Sequence, residues 1–221
     1  MLRSKGKFLV FEGIDGSGKT TQVKLLLNYL KDRKIPFGHY SFPRYEKAWG
    51  KMVRRYLEGE FGKVGAVNPY LASVLYAGDR FAAADEIRSD LVAGKIVVCD
   101  RYVGSNLAHM AAKIKDQDSK RQFIKWLEDF EYGENKIPRE DLVILLSMPA
   151  NFSQKLMKAR KLDIHEREPK YLAEVGRVYE QLARARDNWE KVDSIKNGKL
   201  LRPARVFEKV LAVLKRHKIL Q

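Results

Sequence analysis

The stretch FLVFEGIDGSGKTTQVKLLLNYL, residues 8–30, joins three kinds of sequence end to end. Phe8-Leu9-Val10-Phe11 is an unbroken apolar run of strand length, the pattern of a parallel strand covered on both faces. Val23, Leu26, Leu27 and Leu30 recur at i, i+3, i+4 and i+7, which predicts an amphipathic helix over about 18–33, closed by Pro36. Between strand and helix, Gly13-Ile-Asp-Gly-Ser-Gly18-Lys19-Thr20 satisfies G-x-x-x-x-G-K-[ST] at every fixed position. A chain of this length would match by accident in roughly one case in a hundred at ordinary glycine usage. The glycines let successive backbone N–H groups turn inward, and the helix N-terminus adds its partial positive charge. Lys19 is then placed to reach the outer phosphates of a nucleoside triphosphate, and the Thr20 hydroxyl to sit on Mg²⁺. Asp15, Gly16, Ser17 and Thr21 complete the loop and count with Gly13 and Gly18 as candidate ATP-binding residues.

The alternation continues outward. A short strand is predicted near 39–42, a helix near 48–58 and one long helical region from about 69 to 92, ended by Gly94. Ile96-Val97-Val98-Cys99 and Leu142 to Leu146 are further buried-strand runs, and a weaker strand falls near 191–195. Strands spaced by helices imply an α/β chain with a parallel sheet covered on both sides and ligands at the carboxyl ends of the strands. The 221 residues carry no internal repeat, low-complexity tract or linker, so one domain over 1–221 is expected.

The N-terminus shows no basic segment leading into an apolar one, and no apolar run is long enough to span a bilayer, so a soluble, unexported, cytoplasmic protein is expected. The single cysteine, Cys99, excludes an intramolecular disulfide and a multi-cysteine metal site. The net charge of +15 asks for an anionic partner. From residue 151 onward 18 Lys and Arg stand against 9 Asp and Glu, scattered rather than gathered into a tail. A nucleic-acid surface would cluster cations with aromatics; scattered charge around a phosphate loop instead favours a small polyanion, with no nucleic acid and no membrane as partner. A guanine-reading switch would need a late Asn-Lys-x-Asp segment, which is absent.

Four segments then carry a family resemblance. Phe11 to Thr21, Ser41-Phe42-Pro43-Arg44, Tyr76-Ala77-Gly78-Asp79-Arg80 and Asp100-Arg101-Tyr102-x-x-Ser105 come in the order and spacing of thymidylate kinases. The resemblance runs from residue 7 to about 190. It implies a P-loop NTPase fold with a five-stranded parallel sheet flanked by helices, a short lid over about 158–169, and transfer of the ATP γ-phosphoryl to dTMP with Mg²⁺. It also implies a homodimer.

The chemistry of the residues agrees with that implication. Asp100 and Arg101 follow a buried strand and emerge beside the phosphate loop, where an arginine can clamp an acceptor phosphate through two parallel bonds. By resemblance Arg101 holds that phosphate, while Asp100 orients it and helps to organise Mg²⁺. Tyr76 and Arg80 are four apart on a helix, one face offering an aromatic ring and a guanidinium to a flat base. Phe42 closes the far wall, Arg44 adds a phosphate contact, Ser105 lies on the same side, and Asp15 matches the position that accepts from the deoxyribose 3′-hydroxyl. His109 is a departure, since the family usually places Tyr or Phe there, close to sugar and base. It puts discrimination between dTMP and dUMP in question.

Lys158-Ala-Arg160-Lys161-Leu-Asp-Ile-His165-Glu166-Arg167-Glu168 packs cations into the expected lid. Thymidylate kinases carry a catalytic arginine either in the phosphate loop or in such a lid. The loop here has none, so Arg160 is the first candidate, Arg167 the second and Lys161 a third. His165 has no second histidine at ligand spacing and is assigned to lid packing. A deoxynucleoside kinase of the same fold is the nearest enzymatic rival, and an ATP-switched nucleic-acid binder the non-enzymatic one.

Overall fold

The computed structural model describes residues 6–62, 66–157 and 169–220. Five strands form one sheet in the order β2-β3-β1-β4-β5, every neighbouring pair parallel. They are β1 (Lys7–Glu12), β2 (Phe37–Ser41), β3 (Ile96–Asp100), β4 (Leu142–Ser147) and β5 (Trp189–Asp193). The last begins two residues before the predicted segment. β3 is buried along its whole length, as a strand with helices on both faces must be.

Alternate residues of the strands feed two separate cores. Phe8, Val10, Val97, Cys99, Val143 and Leu145 face one side. There they meet α3 (Pro69–Phe81), α4 (Ala84–Val92), α5 (Val103–Ala111), α6 (Gln117–Glu128) and α8 (Pro169–Arg184). Leu9, Phe11, Val98, Ile144 and Leu146 face the other, against α1 (Lys19–Asp32) and α9 (Pro203–Arg216). Two further helices join the first core at its margin: α2 (Ala48–Glu58) through buried Tyr56 and partly buried Leu57, and α7 (Ala150–Met157) through Ala150. Val23, Leu26 and Leu30 of α1 are buried, which is the face the sequence pattern marked. A small antiparallel pair, β6 (Ile195–Lys196) with β7 (Lys199–Leu200), turns through Asn197-Gly198, both at positive φ as such a two-residue turn requires. Among the described residues no helix is long and apolar enough to cross a membrane.

The single long helix expected over 69–92 is two helices. Ala82 still donates to Gly78 O, but Ala83 donates to Arg80 O three residues back, and Ile87 to Ala83 O opens the next helix. Residues 82–84 are all alanine and contain no breaker. Burial decides the turn: Ala83 and Ala84 are packed into the core while Phe81 is left exposed. α6 runs on into a π-helical turn, Asp129–Glu134, whose wider winding is of the kind often found at functional sites.

β1 has β3 on one side and β4 on the other, so the connections leaving its carboxyl end diverge and open a crevice. The glycine loop sits at that point.

Candidate active site

The loop begins where β1 stops. Gly13 has φ +144°, and a Cβ there would stand 2.6 Å from Leu146 O and 2.8 Å from Ser17 Oγ, so only glycine fits. Gly18, also left-handed, is the N-cap of α1 and offers no side chain to its first N–H groups, which leaves them to an anion. Lys19 is buried in the loop it serves, donating to Gly13 O at 2.8 Å and Ile14 O at 2.9 Å. Burial, and next the charge of Arg101, pull its pKa down to about 8.

Thr20 Oγ1 donates to Asp100 Oδ2 at 2.9 Å, tying the start of α1 to the end of β3. A hydroxyl and a carboxylate side by side form the hard-oxygen pair that suits Mg²⁺, which takes one or two protein ligands and completes its shell with phosphate oxygens and water. Thr20 and Asp100 therefore fit the role of Mg²⁺ ligands.

Arg101 is one residue further on. Its N–H still bonds to Phe11 O at 3.0 Å, but its φ of +66° lifts it out of strand geometry and swings the side chain over the loop. The guanidinium donates to Ser105 Oγ at 3.1 Å and to Asp15 Oδ1, with which it forms an ion pair. Burial works against its charge, and the surrounding anionic groups, Asp15 foremost, more than offset that and hold its pKa above the ordinary range.

Arg101 and Asp15 stand on the boundary shared by two clefts. One, of about 1190 Å³ with its open mouth, is lined by Gly16, Gly18, Lys19, Thr20, Thr21 and Asp100. The other, of about 580 Å³ again with its open mouth, is lined by Tyr76, Arg80, Ser105, Asn106 and His109. Asp15, Phe42, Pro43, Tyr45 and Arg101 belong to both. The buried ring of Phe42 leans on Tyr102, with centroids 5.9 Å apart, and so closes one wall. Tyr76 meets Tyr56 edge-on, leaving it half-buried at the cleft. His109 is buried; Tyr171 Oη donates to its carbonyl at 2.7 Å, and burial drives its pKa down to about 3 against the pull of Asp15. It is a neutral ring at physiological pH.

Arg44 is not among the residues lining either cleft. Its Nε donates to Asp79 Oδ1 at 3.0 Å and its Nη2 to Asp79 O at 2.9 Å, which ties it to α3. Arg160, Lys161, His165 and Arg167, with the rest of the lid read from the sequence, lie outside the described residues.

Four residues that shape the site were not singled out from the sequence. Asp79 holds Arg44. Glu131 holds Arg80. Asn106, which lines the cleft, donates to Ser73 O at 3.1 Å, and its buried Oδ1 has no hydrogen-bond partner among the described residues. Glu12, wholly buried, accepts from Tyr102 N and Ser105 N at 2.8 and 2.9 Å, capping α5. Its other oxygen accepts from Ser105 Oγ at 2.6 Å and Tyr179 Oη at 3.0 Å. A Glu12→Gln variant keeps the shape but turns one acceptor into a donor facing donors, so a loss of about 1–3 kcal/mol in chemical denaturation is expected. An unchanged midpoint would mean that the amide finds other partners.

A parallel sheet with a glycine loop on a helix N-terminus, and a second cleft meeting it across one arginine, defines an enzyme that moves a phosphoryl group from a nucleotide to a small acceptor. The thymidylate kinase family model matches residues 11–201. The "Thymidylate kinase" of Plasmodium falciparum is 34% identical over 152 residues, covering 69% of this chain and 66% of that protein. The "Probable thymidylate kinase" of Pyrococcus horikoshii is 34% identical over 190 residues, covering 85% of this chain and 83% of that one. Among solved structures, thymidylate kinase from Candida albicans superposes with a TM-score of 0.77 at 22% identity, covering 97% of this chain and 93% of that one, which supports the fold. The chain belongs to the thymidylate kinase family, whose reaction is the phosphorylation of dTMP for dTTP synthesis.

Proposed function

We propose that this chain transfers the γ-phosphoryl of ATP to dTMP, giving dTDP and ADP, with the triphosphate in the loop cleft and dTMP in the cleft beyond Arg101. One observation carries the reading: the two clefts share a boundary that includes Arg101 and Asp15, the charged groups placed where donor and acceptor phosphates must come together. Mg²⁺ held by Thr20 and Asp100 supplies charge neutralisation at the donor phosphates.

The chain's own groups do the rest. Lys19 turns from Gly13 O and Ile14 O to the outer phosphates. Arg101 clamps the acceptor phosphate, which releases Asp15 to accept from the deoxyribose 3′-hydroxyl. Tyr76 stacks on the base, Arg80 donates to its carbonyl edge, and Asn106 Oδ1 accepts from its ring N–H. His109, as a neutral ring, lies against the sugar and base. A coupled assay of ADP release against a panel of nucleoside monophosphates tests this: dTMP is expected to be the best acceptor. Turnover on thymidine or dUMP with none on dTMP would overturn it.

Among the described residues the loop cleft has two cationic side chains, Lys19 and Arg101. Charge spreads over the moving phosphoryl group as it transfers, so a third cation must come from the lid. For Arg160→Ala a fall in kcat of about 10²-fold is expected, with far smaller changes in nucleotide affinity. Equal losses in both would make Arg160 an ordinary binding residue. The enzyme acts as a cytoplasmic homodimer, a reading supported by exposed Leu71 and Phe81 on α3; sedimentation at micromolar protein tests it.

A further inference from the structure

The buried ion pair between Arg80 and Glu131 stands behind the base cleft. Arg80 is 2% exposed at its side chain and Glu131 is not exposed at all. Arg80 Nε donates to Glu131 Oε1 at 3.1 Å, its Nη2 donates to the same oxygen, and its Nη1 donates to Tyr102 O at 3.3 Å. A guanidinium has five N–H groups. Three are engaged among the described residues, which leaves one on each terminal nitrogen at the end of a side chain that lines the cleft.

Glu131 does not line the cleft. It comes from the π-helical turn after α6, 51 residues from Arg80 in sequence. Its single-oxygen grip on the Nε and Nη2 side, with Tyr102 O on Nη1, fixes the guanidinium plane from two directions. Its Oε2 has no hydrogen-bond partner among the described residues, so the pair forgoes the two-oxygen fork that would satisfy both groups best. Stability alone does not call for that arrangement; a guanidinium presenting its terminal edge to a ligand does.

We infer that Glu131 is a positioning residue for base recognition, holding Arg80 so that its free N–H groups meet a pyrimidine bearing a carbonyl and meet poorly one bearing an amine at that edge. The inference rests on the reading of Arg80 as the base donor. The experiment compares Glu131→Gln, Arg80→Gln and the double variant, with dTMP and dCMP as acceptors.

For Glu131→Gln, KM for dTMP is expected to rise about tenfold or more, as for a lost charge-assisted contact, with KM for ATP unchanged and kcat changed far less. The preference for dTMP over dCMP should narrow, and adding Arg80→Gln should cost little further. A lower melting temperature with KM for dTMP unchanged in Glu131→Gln, while Arg80→Gln raises it, overturns the inference and leaves the base reading intact. No change in KM for dTMP from either variant overturns both. Should Glu131→Gln not fold, Glu131→Asp keeps the charge and shifts the anchor by one methylene; the same split, smaller in size, is expected, and its absence overturns the inference.

Discussion

Arg101→Ala is expected to lower kcat/KM for dTMP by about 10³–10⁵-fold while the protein remains folded. Each hydrogen bond to a charged group contributes about 1.5–3 kcal/mol, and a fork on a phosphate makes two of them. At about 1.4 kcal/mol per tenfold that is roughly 10²–10⁴. A further factor arises because Arg101 is the partner of Asp15. Without the guanidinium, the Asp15 carboxylate has one counter-charge fewer and faces an incoming phosphate, a like-charge contact in the cleft. Arg101→Lys restores charge without the fork and is expected to recover only a small part. Steady-state kinetics with dTMP varied, alongside a thermal melt, checks this. A loss smaller than tenfold would remove Arg101 from the acceptor phosphate.

What the sequence disclosed divides by distance along the chain. The phosphate loop was legible because its whole mechanism is contiguous: strand, glycines, Lys19 and helix follow one another from residue 7 to 32. Arg80 beside Tyr76, and Asp100 with Arg101, were legible because helix period and strand end place them without further information. The partners that hold them were not. Glu12 is chosen by Tyr102, Ser105 and Tyr179, which lie 90, 93 and 167 residues away. Glu131, in a run of acidic and aromatic residues, has no local mark of being wholly buried. The pairing of Arg44 with Asp79, 35 residues away, has no local mark either. The helix break at 82–83 belongs to the same class, since three alanines favour continuation and only packing against the core turns the chain.

Lys19 gives the other large effect, and one with a pH signature. Among the protein's own groups its pKa stands near 8, because burial and the neighbouring Arg101 outweigh Asp15, Asp100 and Glu12. A triphosphate adds several negative charges beside it and raises that pKa again. The charged form therefore binds better than the neutral one, and binding takes up a proton wherever the pH exceeds the free-enzyme value. Affinity for ATP should be level below pH 8 and fall by up to about tenfold per pH unit above it, until the pKa of the complex is reached. Folding runs the other way: a depressed lysine pKa disfavours the native state below about 8, and that penalty is relieved as pH rises toward the ordinary value of 10.5. Lys19→Met removes the titration along with the charge. Its ATP affinity should be flat from pH 7 to 9 at a lower level, with kcat down by about 10³-fold because the cation acts on charge that develops in transfer. Isothermal titration calorimetry in buffers of different ionisation enthalpy reads the proton uptake directly. Equal uptake at pH 8.5 in the wild type and in Lys19→Met would assign the titration to another group.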